Sequence, residues 1–343
     1  YEIKKVIKNL KIGKATGIDK IIPELLKSFD DNMLDIILLV LNQIFQNGIF
    51  PEEWAIGVII ILFKDGETND LNNYRGITLL SVLGKILIGV LNDRLSELCL
   101  KDNILDENQC GFRKGYRTSD HIFTLLTLIN HFTKVKNKRL YVCFVDFRKA
   151  FDKVSHSVLW AKLLKYGIEG KFVNIIKSMY EQVKSCVRGK TGLTDLFQYK
   201  RGVRQGCLLS PILFALFLND LQDNLFEGGS KGINLWDITI CALLYADDLV
   251  LIAETEYDLK LQMDILGNYA HKYKMEINSK KTKVMIFNER NKTKSETAFS
   301  KIGTHVIMVT DQYKYLGIII SNNGSFKNHT KMILEKAEKC MYE

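Results

Sequence analysis

Several common features are missing from this sequence. No two cysteines stand at C-x-x-C spacing, and the seven present (Cys99, Cys110, Cys143, Cys186, Cys207, Cys241 and Cys340) are an odd number. That argues against a zinc ribbon and against a disulfide framework. Several of the seven sit in apolar runs and read as reduced core residues of an intracellular protein. The six histidines show no H-x-x-x-H arrangement, so the usual helical metal pair is absent. There is no signal peptide, internal repeat or low-complexity tract. The longest apolar candidate, residues 33–45, is interrupted by Asp35, Asn42 and Gln43, so it reads as a core-facing helix and no membrane partner is expected. Acidic residues are also in deficit. Against 48 Lys and Arg there are 39 Asp and Glu, a net charge of +9, which favours a polyanionic partner, nucleic acid before an acidic membrane surface.

With 343 residues, 47% of them hydrophobic, the chain has enough material for two or three subdomains around a sizeable core. It opens on Tyr1 instead of Met and ends inside a helical pattern, as expected of an excerpt from a longer protein. Helices and strands alternate irregularly, which predicts an α+β fold. Helices are expected over residues 31–46, from Ser81 to about Leu100, 120–134 with Ser119 or Asp120 as cap, 149–166, 171–180, 211–225 and 256–273. Strands are expected over 56–63, 140–147, 185–188, 196–200, 275–278 and 283–287. A charged loop is expected over 288–300, and a late strand or hairpin over 313–320.

The most informative stretch is Leu243 to Ala253, LLYADDLVLIA. Two apolar runs of strand length flank Asp247 and Asp248, which predicts a hairpin with Ala246, Asp247 and Asp248 at its turn. Adjacent carboxylates repel, and burying them is costly unless something positive neutralises them. A divalent cation with a preference for hard oxygen ligands would do so. Asp146 likewise ends an apolar strand. If the two strands are neighbours, three carboxylates converge and suit a pair of magnesium ions serving in-line nucleotidyl transfer. The segment from Gln109 to Ser119 interleaves Arg113, Lys114 and Arg117 with Phe112, Tyr116 and glycines, a composition able to grip a nucleic-acid backbone and stack bases.

The order of motifs then becomes informative. GKATGIDKIIPELLK, YRGITLLSVLGKIL, QCGFRKGYRTSDHI, VDFRKAFDKV, GVRQGCLLSPILFALFLNDL, YADD, INSKKTK and YKYLGIII follow one another along nearly the whole chain. In that order the chain resembles the reverse transcriptase domain of non-LTR (LINE-type) retrotransposons. The resemblance implies a right-hand polymerase with fingers, palm and a truncated thumb, intracellular and, in a eukaryotic host, shared between nucleus and cytoplasm. Asp146 and Asp247 are implied as principal ligands of two Mg2+ ions, with Mn2+ as a substitute, the Phe147 carbonyl assisting and Asp248 in support. Arg75 is implied to contact the incoming triphosphate. Gln205 and Gly206 would lie along the templating pair, Tyr245 would join the substrate set, and the Phe151 ring would exclude a ribose 2′ hydroxyl. Lys281 is similar to the lysine that protonates pyrophosphate, and Tyr315, Leu316 and Gly317 resemble the primer grip. Asp152 reads as a helix-cap or structural carboxylate. Gly76 and Leu208 stand where the family usually has proline, which would loosen two turns.

The implied organisation is an N-terminal extension over 1–50 and fingers over 51–139. Palm segments follow at 140–170 and 203–325 around an insertion at 171–202, and a thumb begins at 326–343. The implied partners are template RNA, a DNA primer or nicked target DNA, and deoxynucleoside triphosphates. A group II intron-type polymerase, an RNA-dependent RNA polymerase and a catalytically silent RNA-binding remnant are the alternatives. Arg204-Gln205-Gly206-Cys207 speaks against the first, Phe151 against the second and the retained carboxylates against the third.

Overall fold

The computed structural model describes residues 1–64, 66–235, 238–289 and 296–342. The chain is a mixed α+β fold that divides into two compact units, each assembled from two stretches of sequence. The first comprises Tyr1–Ile104 and Phe151–Phe217, the second Leu105–Ala150 and Leu218–Glu343. These bounds differ from the segments expected above. Residues 105–139 associate with the unit that carries Asp146, and residues 203–217 with the other.

In the first unit the β-branched run Ile56–Phe63 pairs antiparallel with Tyr74–Leu79 and parallel with Lys184–Gly189. Short strands at Gly192–Leu193 and Phe197–Gln198 extend this sheet. Gly76 lies inside the strand opposite Ile61, not in a turn. The helix Val82–Lys101 starts at Ser81, whose buried hydroxyl accepts the Gly84 N–H at 3.2 Å; this satisfies one of the donors that a helix start leaves unpaired. The helix Ser210–Leu218 is apolar on every side, and Leu213, Phe214, Ala215, Leu216 and Phe217 are all buried, as such a helix requires. The helix Asp31–Asn47 is capped by the Asp30 carboxylate and ends at Gly48, where φ is +67°. The expectation that it faces the core fails. Leu41 is its one buried residue, while Met33, Ile36, Leu38, Leu39 and Val40 are exposed.

In the second unit a six-stranded sheet runs in the order Ala298–Ile302, His305–Val309, Lys283–Phe287, Leu140–Val145, Asp248–Ala253, Ala242–Tyr245. Its middle strand, Leu140–Val145, is buried at every position. Both faces are covered, which explains the unbroken apolar run. Leu140, Val142 and Phe144 pack with Leu125, Leu128 and Ile129 of the helix Thr118–Asn130, and with Val250, Ile252, Met285 and Phe287. The alternate residues Tyr141, Cys143 and Val145 point to the opposite face and are buried as well. A separate hairpin, Gln312–Tyr315 with Ile318–Ser321, adds Tyr315 and Ile320 to this core. Its turn residues Leu316 and Gly317 have φ of +45° and +90°, the type I′ pattern that suits strand twist.

Several boundaries depart from expectation for local reasons. The helix expected over 149–166 is two, Ala150–Lys153 and His156–Lys165, because Ser155 between them bridges to Arg201. The helix expected over 211–225 breaks after Leu218 and resumes at Leu221. At the break, the Asp220 carboxylate accepts the hydroxyls of Tyr269 (2.7 Å) and Tyr273 (3.2 Å). The helix cap expected at Ser119 or Asp120 falls on Arg117, whose N–H donates to the Asp120 carboxylate at 2.7 Å. Residues 275–278 form no strand; Ile277 alone bridges to Phe147. The hairpin of Ile233–Leu235 with Ile238–Ile240 was not anticipated, nor was that of Ala298–Ile302 with His305–Val309. Part of the charged loop expected at 288–300 lies outside the described residues. No helix among the described residues is long and apolar enough to cross a membrane.

Phe144 is 1% exposed and stacks on Tyr313 with ring centroids 4.4 Å apart. Phe144→Ala is expected to cost about 3–5 kcal/mol, the range for a fully buried aromatic. Urea denaturation measures this, and a loss below ~1 kcal/mol would show that the site collapses around the void.

Candidate active site

The second unit brings the acidic strand ends together. Strand Leu140–Val145 pairs antiparallel with Asp248–Ala253, with Leu249 opposite Val145. Asp146 follows the first strand directly and Asp248 opens the second, so their carboxylates sit at the same end of two adjacent strands. Asp248 pairs with Tyr245, leaving Ala246 and Asp247 as a two-residue turn. Asp248 is therefore a strand residue, one position later than the turn expected for it.

That turn is strained. Ala246 has φ of +59°, in the left-handed region that costs a residue with a Cβ roughly 1–2 kcal/mol. Positive φ at the first central position alone is the type II′ pattern. Residues 108–111 hold the turn in place. Leu244 N–H donates to the Asn108 carbonyl at 2.8 Å, and Cys110 N–H to the Leu244 carbonyl at 3.0 Å. Gly111 then passes so close that a Cβ there would lie 2.1 Å from the Ala246 nitrogen. The role of this glycine in the structure is to permit contact with the aspartate turn.

Asp146 is oriented by two residues that sequence reasoning missed. Asn278 Nδ2 donates to Asp146 Oδ2 at 2.9 Å, and Asn278 N–H donates to the Asp146 carbonyl at 2.8 Å. The Asp146 N–H donates to the buried Thr282 hydroxyl at 3.1 Å. The available signal was the apolar-flanked turn INSKKTK, whose lysines are more conspicuous than its Asn278. Lys281 occupies that turn, exposed, its N–H donating to the Asn278 carbonyl at 3.1 Å. Phe147 bridges to Ile277 through bonds made by its neighbours (Asn278 to Asp146, Arg148 to Glu276), so its own carbonyl is left out of the pairing.

The electrostatics follow from this crowding. The Asp248 carboxyl is pushed up to about 6 by burial, then by the charges of Asp247 and Asp146. Solvent reaches the residue, but the protein around it excludes the deeper water that would stabilise its charge. The Tyr313 hydroxyl is also pushed up, by burial and then by Asp146 and Asp248. The three carboxylates thus act on one another without being drawn into a closed cage: among the described residues no group of three or more His, Cys, Asp or Glu side chains surrounds a common ion position. Carboxylate oxygens of this kind are hard ligands, the type that divalent cations such as magnesium and manganese prefer.

The other expected residues fall as follows. In the second unit, Tyr315 is buried and Leu316 half-buried, while Gly317 is exposed. Tyr245 is half-buried as the last residue of its strand. Lys114 and Arg117 are exposed. Arg113 was expected to face a nucleic-acid backbone, but it is engaged internally. Its guanidinium donates to the Asp106 carbonyl at 2.9 Å, pairs with Glu107 at 3.3 Å and lies 4.2 Å from the Tyr116 ring centroid.

In the first unit, Arg75 is exposed on strand Tyr74–Leu79 opposite Leu62. The Gln205 carbonyl accepts the Thr78 N–H at 2.8 Å, and its side chain donates to Asp152 at 3.4 Å. Gly206 has φ of +112°, and a Cβ there would lie 2.6 Å from the Thr78 carbonyl oxygen. The close approach that demands glycine is therefore to the chain's own strand. Phe151 is half-buried and stacks on Phe214, centroids 4.6 Å apart and planes 13° apart.

Comparison with known proteins agrees with this architecture. The family model described as reverse transcriptase (RNA-dependent DNA polymerase) matches residues 64–320, and the chain belongs to that family. It is 26% identical over 352 residues to the probable RNA-directed DNA polymerase from transposon BS of Drosophila melanogaster, covering 100% of this chain and 38% of that protein. It is 27% identical over 337 residues to the RNA-directed DNA polymerase from mobile element jockey of Drosophila funebris, covering 96% and 36%. It is 28% identical over 319 residues to the Pol polyprotein from the type-2 retrotransposable element R2DM of Drosophila melanogaster, covering 91% and 29%. The chain spans between 29% and 38% of the length of these relatives. Among solved structures, apo telomerase from Candida tropicalis, truncated from its C-terminal domain, superposes with a TM-score of 0.56 at 19% identity, over 82% of this chain and 57% of that one. Telomerase from Candida albicans with a telomeric RNA fragment gives 0.53 at 14%, over 79% and 45%. These two show a shared polymerase fold.

The raised Asp248 carboxyl has a consequence for stability. Its folded-state value of about 6 exceeds the ordinary 3.8, so the folded protein binds this proton more tightly than the unfolded one. Stability from this group is present at low pH and falls as pH rises from about 4 to 6. In the metal-free protein, Asp248→Asn should therefore melt higher than wild type at pH 7, by about 2–4 °C once solvent screening is allowed for. The difference should shrink toward pH 4. Melts in chelator across that range test this, and a difference that is flat or largest at pH 4 would contradict it.

Proposed function

We propose that this chain is the polymerase core of a non-LTR, LINE-type retrotransposon protein. In this reading it copies element RNA into DNA from a DNA 3′ end, such as one at nicked target DNA, using deoxynucleoside triphosphates. The observation that carries the reading is the convergence of Asp146, Asp247 and Asp248 at one end of adjacent strands, with Asn278 fixing the orientation of Asp146. The family and the mobile-element relatives support it.

Asp146, Asp247 and Asp248, with the Phe147 carbonyl, would hold two divalent ions, Mg2+ first and Mn2+ as a substitute. Bound there, such ions lower the pKa of the attacking 3′ hydroxyl and neutralise charge on the leaving pyrophosphate. The chain's own residues do the positioning. Asn278 fixes the Asp146 carboxylate and Thr282 its backbone N–H, and residues 108–111 keep Asp247 on its strained turn. Lys281, exposed on the turn that carries Asn278, serves to deliver a proton to pyrophosphate. Arg75 serves the triphosphate, Gln205 and Gly206 the templating pair, and Tyr245 the substrate. Tyr315, Leu316 and Gly317 form the primer grip on a rigid I′ turn. Lys114 and Arg117 are the exposed cations for the nucleic-acid backbone, while Arg113 braces their loop from inside.

Two experiments test the reading. On an RNA template annealed to a DNA primer, with Mg2+, wild type should extend the primer. Asp146→Asn and Asp247→Asn should each reduce the rate by about 10³-fold or more, the scale of losing a charge-stabilising group in the reacting site, without lowering the melting temperature. Wild-type rates in both variants would sink the assignment.

The Phe151 ring, with one face fixed on Phe214, is assigned to sugar discrimination, where a ribose hydroxyl would meet the other face. Overpacking costs about 1–3 kcal/mol, so Phe151→Val should reduce the kcat/KM preference for deoxynucleotides by roughly 10- to 100-fold through faster ribonucleotide use. Equal slowing on both substrates would reduce Phe151 to a packing residue.

A further inference from the structure

Two hairpins of the second unit end in two-residue turns. One turn carries Ala246 and Asp247; the other is Leu316-Gly317. The residue just before each turn is a tyrosine, Tyr245 in one and Tyr315 in the other. A single side chain touches both. His121, on the helix Thr118–Asn130, places Nδ1 3.3 Å from the Tyr315 hydroxyl, and its ring meets Tyr245 edge to face with centroids 6.0 Å apart. His121 is 2% exposed. Burial holds its imidazole low, at about 4, so the ring is neutral at physiological pH. One ring nitrogen is then a donor and the other an acceptor, whichever tautomer is present.

The surroundings make this contact rigid. Leu125, Leu128 and Ile129, further along the same helix, pack in the core cluster that also holds Phe144, Val250, Tyr315 and Ile320. Asp120, the residue before His121, closes the helix start by accepting the Arg117 N–H. His121 therefore cannot shift without moving a capped helix within a filled core. A buried hydrogen-bonding side chain among apolar neighbours is costly unless its bond is made. Besides the Tyr315 hydroxyl, the Asn108 backbone also interacts with the imidazole, so the ring is held from both the hairpin side and the loop that supports the aspartate turn.

We propose that His121 is a positioning residue that fixes the spacing between the aspartate turn and the Leu316-Gly317 turn, and so sets where a primer 3′ end lies relative to the carboxylates. The inference rests on the polymerase reading above. It assigns His121 no contact with substrate. Its effect passes through Tyr315 by a hydrogen bond and through Tyr245 by ring packing. Removing the imidazole would leave both tyrosines in place but free each hairpin tip to move independently. Displacement of the 3′ end slows the chemical step, because reacting groups must be held close to their attack geometry. Nucleotide binding, which does not depend on the position of the primer end, would be largely spared.

The test is a mutant cycle on RNA template annealed to a DNA primer with Mg2+, using His121→Phe, Tyr315→Phe and the double variant. Each single variant is expected to lower kcat about tenfold with the deoxynucleotide KM changed by less than about twofold. The double variant should be no slower than the worse single one, because both remove the same bond. His121→Asn, whose amide can occupy the place of Nδ1, should recover most of the rate that His121→Phe loses. Melting temperatures separate this from general damage. Rate losses that track melting temperature, additive losses in the double variant, or no recovery with His121→Asn would each overturn the inference while an active wild type leaves the polymerase reading intact. A wild type that cannot extend the primer would overturn both.

Discussion

Mutual repulsion among three carboxylates is the constraint on which the rest of the second unit depends. Asp146, Asp247 and Asp248 gather at one end of two adjacent strands, and burial, with the charges of Asp247 and Asp146 adding to it, raises the Asp248 carboxyl to about 6. Left alone, such a cluster would spread. The structure prevents spreading by fixing each member from behind. Asn278 and Thr282 hold Asp146 by side chain and backbone. Asp247 is held by a turn with Ala246 at φ +59°, kept there by residues 108–111. Strain of this kind persists only where the surroundings over-determine it. In the proposed reading a divalent cation bound at this end of the sheet would offset the repulsion.

Glycines permit the close backbone approaches that this bracing needs. Gly111 lies against the Ala246 nitrogen in the second unit, and Gly206 against the Thr78 carbonyl in the first. In both places the neighbouring atoms are backbone and cannot swing aside. Gly206 thus docks the loop carrying Gln205 onto the strand that also carries Arg75. Two residues assigned to substrate are thereby tied together by main-chain contact within one unit. Arg113 shows the same economy of parts: its cation braces the loop from which Lys114 and Arg117 project.

Much of this was legible in the sequence, and for identifiable reasons. The hairpin around Asp247 was readable because two apolar runs of strand length flank a polar pair. The Asp146 strand was readable because it is buried on both faces and so carries no polar alternation. What stayed hidden depends on contacts between distant segments. Asn278 and Thr282 act across more than a hundred residues, and nothing local marks them. The exposure of the helix Asp31–Asn47 was misread because an apolar helix shows its pattern whether or not the described chain covers it. The break at Asn219–Asp220 depends on hydroxyls from Tyr269 and Tyr273, a tertiary override that local propensity cannot register. The two unanticipated hairpins are short strands lying partly in polar sequence.

In the proposed reading the carboxylate cluster holds a divalent cation, with Asn278 and the turn at Ala246 keeping its ligands in place. Mn2+ binding followed by loss of the free-ion electron paramagnetic resonance signal reads this directly, without nucleic acid or nucleotide. At pH 7.5 wild type should bind Mn2+ measurably, Asn278→Ala should bind it several-fold more weakly by freeing Asp146, and the Asp146→Asn/Asp247→Asn double variant should show only background. If wild type binds no more Mn2+ than that double variant, the cluster is not a metal site and the account fails.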